Sequence, residues 1–157
     1  MDFDWSGIWK IIGYLIPIIM FVLFNVVFKK QREQQRKEAV IKGLLSETDY
    51  NSKLVESFSM KSQMKKFKTT TWKRNRDKMD YIDQSLYSTL ADAYEIADGF
   101  NREIDAAIKH KSTSYIAGID VSRLTKPLTR SKQGLEEWIE INKSKKKSKL
   151  ADLIPKS

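Results

Sequence analysis

Residues 79–108, MDYIDQSLYSTLADAYEIADGFNREIDAAI, decide the fold class. Apolar residues recur in this stretch at steps of three and four, with one skipped position at Asp83: Met79, Leu86, Leu90, Ala93, Ala97, Phe100, Ile104 and Ala107. This spacing predicts a long amphipathic helix. Tyr87, Tyr94 and Ile108 widen the apolar stripe beyond a two-position seam, so the pattern favours a helical bundle over a lone coiled coil.

Helices are also predicted on both sides of this one. Gly43 and residues 46–51 weaken helical propensity, and Ser46, Thr48 or Asp49 can cap a new helix. Its loosely periodic apolar residues are Leu54, Val55, Phe58, Met60 and Met64. The final helix contains the apolar residues Leu124, Leu128, Leu135, Trp138 and Ile139. Pro127 is compatible with a start near Thr125, because proline is tolerated in a first turn, but it would kink a helix begun at Asp120. We therefore predict an all-α domain at residues 46–142, a small bundle or a helical hairpin.

The N-terminal part has a different character. Residues 11–28 are almost uniformly apolar, and 18 residues rising about 1.5 Å each cover roughly 27 Å, close to the hydrocarbon thickness of a bilayer. We predict a single transmembrane helix at residues 9–28. Aspartates precede it and no small-residue cleavage site follows, which indicates an uncleaved signal-anchor rather than a signal peptide. Its predicted membrane-interface residues are Trp5, Trp9, Lys29, Lys30 and Arg32.

Orientation follows from the charges that flank this helix. Basic residues crowd its C-terminal side, which predicts an extracytoplasmic N-terminus at residues 1–8 and a cytoplasmic domain. Residues 29–45 are predicted to form a basic juxtamembrane helix. Pro17 and Asn25 mark possible packing against another membrane helix, although prolines are common in spanning helices and an amide near the edge can reach headgroups. The predicted location is the plasma (inner) membrane.

Charge in the remaining chain indicates anionic partners. The sequence holds 29 Lys and Arg against 20 Asp and Glu. Within residues 61–78 cations surround aromatic side chains, a composition that suits an anionic surface. The bilayer's anionic lipid headgroups are the favoured partner, a solvated helix is the alternative, and nucleic acid is possible but not favoured. The residues predicted to contact such a surface are Lys65, Lys66, Phe67, Lys68, Trp72, Lys73, Arg74 and Arg76.

The search for catalytic chemistry returns no site. There is no cysteine and one histidine, His110, which lies in a lysine-rich helix end. The acidic group Asp92, Glu95 and Asp98 is interpreted as a solvated helix face rather than a metal site. We therefore predict no catalytic, cofactor-binding or metal-ligating residue. Residues 143–157 contain a dense lysine run and are predicted to be a disordered tail.

These features favour a non-enzymatic membrane protein whose cytoplasmic helices act as a tethered adaptor or scaffold near the inner leaflet. A protein partner is expected, because blocks of opposite charge on the predicted bundle provide a docking surface. Two alternatives stay open at this point. One is an accessory subunit of a larger membrane complex, and the other is a membrane-tethered nucleic-acid binder.

Overall fold

The computed structural model describes residues 5–58, 65–111 and 118–151; the side chains of residues 5–14, 146, 147 and 149–151 are outside the description. Over these residues the chain is helical, without strands, so the all-α prediction is confirmed. It divides into two compact units, Met1–Glu38 and Ala39–Ser157. The α-helices are α1 (Trp5–Glu56), α2 (Thr70–Asn75), α3 (Gln84–Lys109) and α4 (Thr125–Ala151), with 3-10 turns at Arg76–Lys78 and Val121–Leu124.

The first unit holds the N-terminal part of α1. Its large apolar side chains between Leu15 and Phe28 are between 45% and 68% exposed. Within the part of the chain that the structure describes, no helix combines the length and the apolarity that crossing a membrane requires. Beyond Phe28 the helix is polar, and an ion pair joins Lys37 Nζ to Glu33 Oε1 at 3.5 Å.

The predicted break near residues 43–51 is wrong, because α1 continues through this stretch. Thr48 and Asn51 are fully buried here, and Glu47 nearly so. The side chains of Glu47 and Asn51 bond to backbone groups of the segment that follows α1. They therefore do not compete for the backbone of their own helix, which is the usual reason that such residues weaken helices.

The prediction of a long amphipathic helix is confirmed for α3, and all eight residues of the quoted stripe are buried. The helix begins after Met79, however, and Ile108, which was expected to widen the stripe, is 43% exposed. Asp83 begins the helix as its N-cap, and its Oδ1 accepts a hydrogen bond from the Leu86 N–H at 2.8 Å. An N-cap acceptor satisfies one of the backbone donors that a helix start leaves free. Asp92 and Glu95 lie exposed on the opposite face.

The final helix, α4, begins at Thr125 with Pro127 in its first turn, which is one of the two starts that the sequence left open. It does not end where the disordered tail was expected, because residues 143–151 continue the helix. Lysine has good helix propensity, and cations near a helix C-terminus interact favourably with the helix dipole. Lys143 Nζ also bonds to Glu140 Oε1, three residues earlier, at 2.8 Å. The disorder prediction for residues 152–157 lies outside the described residues.

The second unit is a bundle of α1, α3 and α4, rather than a hairpin. Two core clusters run along it. The first cluster joins Ile41 and Leu44 of α1 to residues near the start of α3 and to Leu135 of α4. The second joins Leu54 of α1 to residues near the end of α3 and to Leu128 of α4. Along the bundle, α1 and α3 are therefore parallel and α4 is antiparallel to both.

The helices α3 and α4 approach closely at Gly134. A Cβ atom placed on this glycine would lie 2.6 Å from Leu86 Cδ1, and Leu86 is itself buried. We expect Gly134→Ala to lower the free energy of unfolding by about 1–3 kcal/mol, because the overpacking outweighs the gain in helix propensity. Urea unfolding followed by circular dichroism measures the change.

Gly99 in α3 provides the matched control, since the nearest atom to its added Cβ would be Arg102 Nη2 at 3.9 Å. Gly99→Ala should raise the free energy of unfolding by about 0.5–1 kcal/mol through helix propensity alone. Equal effects of the two substitutions would contradict the close approach of α3 and α4.

Candidate docking groove

Residues 65–69 have no regular secondary structure and lie between α1 and α3; we call this segment the strap. Two asparagines hold its backbone. Asn51 of α1 accepts from the Lys68 N–H at 2.7 Å and donates to the Lys68 carbonyl at 2.8 Å. Asn101 of α3 does the same for Phe67, at 2.8 and 2.9 Å. Each amide thus satisfies both backbone groups of one residue, as a neighbouring strand would.

Successive strap side chains take different directions. Phe67 enters the core, where its ring lies 6.3 Å from the Phe58 ring and 5.9 Å from the Phe100 ring. Lys66 pairs with Asp105 of α3 at 2.6 Å. Lys68 faces the other helix, with its amine 4.2 Å from the centre of the Tyr50 ring. Phe67 is buried between the two exposed lysines, so this short segment is held to the core by one ring and contacts a different helix through each lysine.

Trp72 of α2 is also a core residue. Its ring stacks on Tyr94 at 5.3 Å and 4°, and contacts Tyr87 at 5.3 Å with a 50° tilt. Trp72 is 5% exposed and Phe67 is 3% exposed. The structure therefore corrects the prediction that these two aromatic residues contact an anionic surface. Their burial provides the main apolar attachment of residues 65–78 to the bundle.

A buried polar group lies beside Trp72. Glu47 Oε1 accepts from the Thr71 N–H at 2.7 Å, near the start of α2, and Oε2 accepts from the Tyr94 hydroxyl at 3.2 Å. Burial and the Glu47 carboxylate raise the pKa of the Tyr94 phenol, so it remains a donor. The buried Thr48 hydroxyl opposes part of this shift, although it makes no hydrogen bond of good geometry within the described residues.

The remaining cations predicted in this stretch divide into two groups. Lys73 forms an ion pair, with its Nζ 2.7 Å from Asp98 Oδ1. The same oxygen also accepts a hydrogen bond from the Thr69 hydroxyl. Arg76 contacts the neighbouring Asp77 at 3.5 Å. Lys65 and Arg74 are exposed. Lys66, Lys73 and Arg76 are therefore paired with carboxylates, which reduces the charge available to an external surface, whereas Lys68 contacts only an uncharged ring.

A groove lies along α1 where the strap meets it. Its volume is about 500 Å³. Lys42 and Lys53 stand eleven residues apart on one face of α1, and Lys68 of the strap adds a third cation. The rest of the lining is Leu45, Ser46, Asp49 and Tyr50. We call this set the α1 groove.

The α1 groove is electropositive. Its one acidic residue, Asp49, is paired with Lys132 of α4 at 2.8 Å, and this hydrogen bond and charge raise the pKa of the Lys132 amine. Lys42 and Lys53 form no ion pair with any described residue. Exposed cations beside a half-buried aromatic and hydroxyl groups suit a carboxylate- or phosphate-bearing ligand.

No known family model matches this chain, and neither curated proteins nor solved structures show a significant similarity to it. Any function must therefore be inferred from the geometry of the described residues. Among those residues, no group of three potential metal ligands comes together. His110 is exposed at the C-terminal end of α3.

The residues predicted at the membrane lie in the first unit. Lys29, Lys30 and Arg32 are exposed on α1, and so are Pro17 and Asn25. The side chains of Trp5 and Trp9 are outside the described part. Asn25 lies on the same helix face as Lys29 and Arg32, which together line one shallow depression.

The α1 groove is not apparent from the sequence. Lys42 falls in the predicted juxtamembrane helix and Lys53 in a separate predicted helix, so the face that they share is hidden. The spacing of Lys42, Ser46, Tyr50 and Lys53 by three and four residues is the signal that could have revealed it.

Proposed function

We propose that this chain is a non-enzymatic, single-pass membrane protein whose helical bundle acts as a tethered adaptor at the cytoplasmic face. In this proposal the α1 groove docks an acidic segment of a partner protein. The observation that carries it is the cluster of Lys42, Lys53 and Lys68 around one groove whose only acid is already paired. Tethering would give the adaptor a high local concentration near its membrane.

Support for the anchor comes from the sequence and from the first unit. In the sequence, residues 9–28 form an apolar run of about the length that a spanning helix needs. The side chains of residues 9–14 lie outside the described part of the chain, in which no helix is long and apolar enough to span a membrane. From Leu15 to Phe28 the large apolar side chains are exposed around the helix. An all-round apolar helix is favourable in lipid and costly in water. The cations from Lys29 onward favour a cytoplasmic position for the bundle.

The shape of the groove favours an acidic peptide segment as the partner. Lys42 and Lys53 are separated by about 16 Å along the helix, from eleven residues at 1.5 Å each. Several turns of a partner helix, or a short extended acidic stretch, span that distance. Leu45 and Tyr50 lie between the cations and offer apolar contact. Charge complementarity then sets the register of the partner and speeds association.

A labelled glutamate-rich peptide tests the groove directly, with the purified full-length protein in mild detergent. We expect Lys42→Glu with Lys53→Glu to weaken binding about tenfold or more, because each replaces attraction by repulsion. The control is Lys109→Glu with Lys126→Glu, two exposed positions outside the groove with the same change in net charge. Fluorescence anisotropy measures both. Equal losses would show that net charge alone attracts the peptide and would contradict a specific groove.

The anchor is tested separately, by extracting the expressed protein from membranes with alkaline carbonate. An anchored chain stays in the pellet, and deletion of residues 1–28 releases it. Release of the full-length chain would contradict the anchor whatever the peptide result.

A second candidate function is an accessory subunit of a larger membrane complex. Asn25, an exposed amide within the apolar run, is the observation in its favour. Its position on one face with Lys29 and Arg32 also suits contact with headgroups. Co-migration of the full-length protein with other membrane proteins in mild detergent, lost in Asn25→Leu, would favour the subunit.

The nucleic-acid alternative loses support, because Phe67 and Trp72 are buried and cannot stack on bases.

A further inference from the structure

We propose that the lysine-rich end of α4 is a second membrane contact, which binds the headgroups of anionic phospholipids. This inference rests on the membrane anchor of the proposed function. It assigns a role to the lysine run, which the adaptor function does not use.

The topology of the bundle determines which end carries these lysines. Val40 and Ile41 of α1 belong to the first core cluster, together with Leu135, Trp138 and Ile139 of α4. Residue 39 joins this end of the bundle to residues 1–38. Because α4 is antiparallel to α1, its C-terminal residues leave the core at the same end. A membrane anchor would therefore tether the bundle at its lysine-rich end.

The described side chains from Lys143 onward in α4 are exposed. Beyond Ile139, which still packs on the first cluster, α4 continues to Ala151, a rise of about 18 Å. Residues 143–149 read KSKKKSK, and no acidic residue occurs between Ile141 and Ala151. Lys143 and Lys145 are exposed, as is Ile141 at 52%. Of the two lysines in this run whose side chains the structure describes, Lys143 contacts Glu140 and Lys145 forms no ion pair with a described residue.

Lipid fits this surface better than a soluble anion. A basic residue near an anionic leaflet strengthens binding by about fivefold, and several of them act together. The tether keeps the helix end close to headgroups at high effective concentration, whereas a free polyanion must be recruited from solution. Lysine on a flexible stem can reach phosphates without a fixed geometry, which suits a fluid headgroup layer.

A single fluorophore tests the contact. The chain contains no cysteine, so Ser148→Cys creates a unique labelling site on the lysine-rich end, where Ser148 is exposed. The labelled full-length protein is reconstituted in phosphatidylcholine vesicles with or without phosphatidylglycerol, and headgroup spin-labelled lipid is used as a quencher. We expect quenching to rise severalfold with phosphatidylglycerol and to return to the lower level at high salt. The control label, Arg123→Cys, lies beside the second cluster and should not respond.

A charge variant completes the test. Replacing Lys143, Lys145, Lys146, Lys147 and Lys149 with glutamine should abolish the response of the Ser148→Cys label to phosphatidylglycerol. Carbonate extraction of the same samples separates two failures. A chain that resists extraction but shows no lipid response overturns the second contact alone, whereas a chain that is extracted overturns the anchor as well. A label that does not respond to phosphatidylglycerol but responds to added RNA would assign the lysines to nucleic acid and overturn the lipid proposal.

Discussion

Replacing Trp72 with alanine is expected to lower the free energy of unfolding by about 3–5 kcal/mol, the range for removing a large aromatic side chain from a core. The indole is 5% exposed and contacts Tyr87 and Tyr94. Natural domains have only about 5–15 kcal/mol of stability, so this single change removes a large fraction. Urea unfolding of the purified protein, followed by far-UV circular dichroism, measures the loss.

Two controls separate packing from charge. Trp72→Phe keeps an aromatic ring in the site and should cost less than Trp72→Ala. Arg74→Ala removes an exposed cation two residues away and should change stability by less than about 0.5 kcal/mol. If Trp72 contacted an external surface instead, its replacement by alanine would leave the unfolding curve unchanged.

Replacing Asn51 with alanine should be the second large effect, with an expected loss of about 2–4 kcal/mol. The side chain is fully buried and makes two hydrogen bonds to the Lys68 backbone. Its removal leaves one donor and one acceptor of the strap without their partner, which costs more than the net value of a hydrogen bond. The same denaturation measurement applies.

We call the pair of hydrogen bonds from Asn51 or Asn101 to one strap residue a clasp. Hydrogen exchange tests which backbone amide each clasp protects. In Asn51→Ala, the amide of Lys68 should exchange faster than in the parent protein, whereas Asn101→Ala should first expose the amide of Phe67. Asn142→Ala is the matched control, because that side chain bonds only to the Trp138 carbonyl of its own helix. Unchanged exchange at Lys68 in Asn51→Ala would contradict the clasp.

The helices with regular apolar spacing could be predicted from sequence. In α3 the stripe from Leu86 to Ala107 follows helical periodicity, and each of its positions is buried. In α4 Pro127 lies in the first turn, which is one of the two starts that the sequence left open. In both helices one face packs against neighbours and the other faces solvent, so periodicity alone carries the information.

The strap and the centre of α1 could not be predicted in this way. Glu47, Thr48 and Asn51 have the composition of a helix cap, yet they are buried because partners distant in sequence satisfy Glu47 and Asn51. Phe67 and Trp72 are surrounded by lysines and arginines, which suggested a surface role. Their burial depends on Phe100 and Tyr94, more than twenty residues further along the chain. The local sequence pattern cannot predict contacts between residues so far apart in the chain.

The α1 groove was missed for a related reason. Lys42 and Lys53 share a face only if α1 is continuous, and its continuity depends on the buried hydrogen bonds of Glu47 and Asn51. The lysine run was interpreted as disordered from its charge, although lysine itself is a good helix former. In the centre of α1 and in the lysine run, polar composition predicts a helix end, but the helix continues in both places.

The two asparagine clasps recognise main chain rather than side chains, and this has an evolutionary consequence. Residues 65, 66 and 68 can vary among relatives without loss of the four clasping hydrogen bonds, because any residue except proline offers the same N–H and carbonyl. Substitution of Asn51 or Asn101 has no such freedom. Distant relatives should therefore keep an asparagine at each of these two positions, with an aromatic residue at position 67, while the charges of the strap drift.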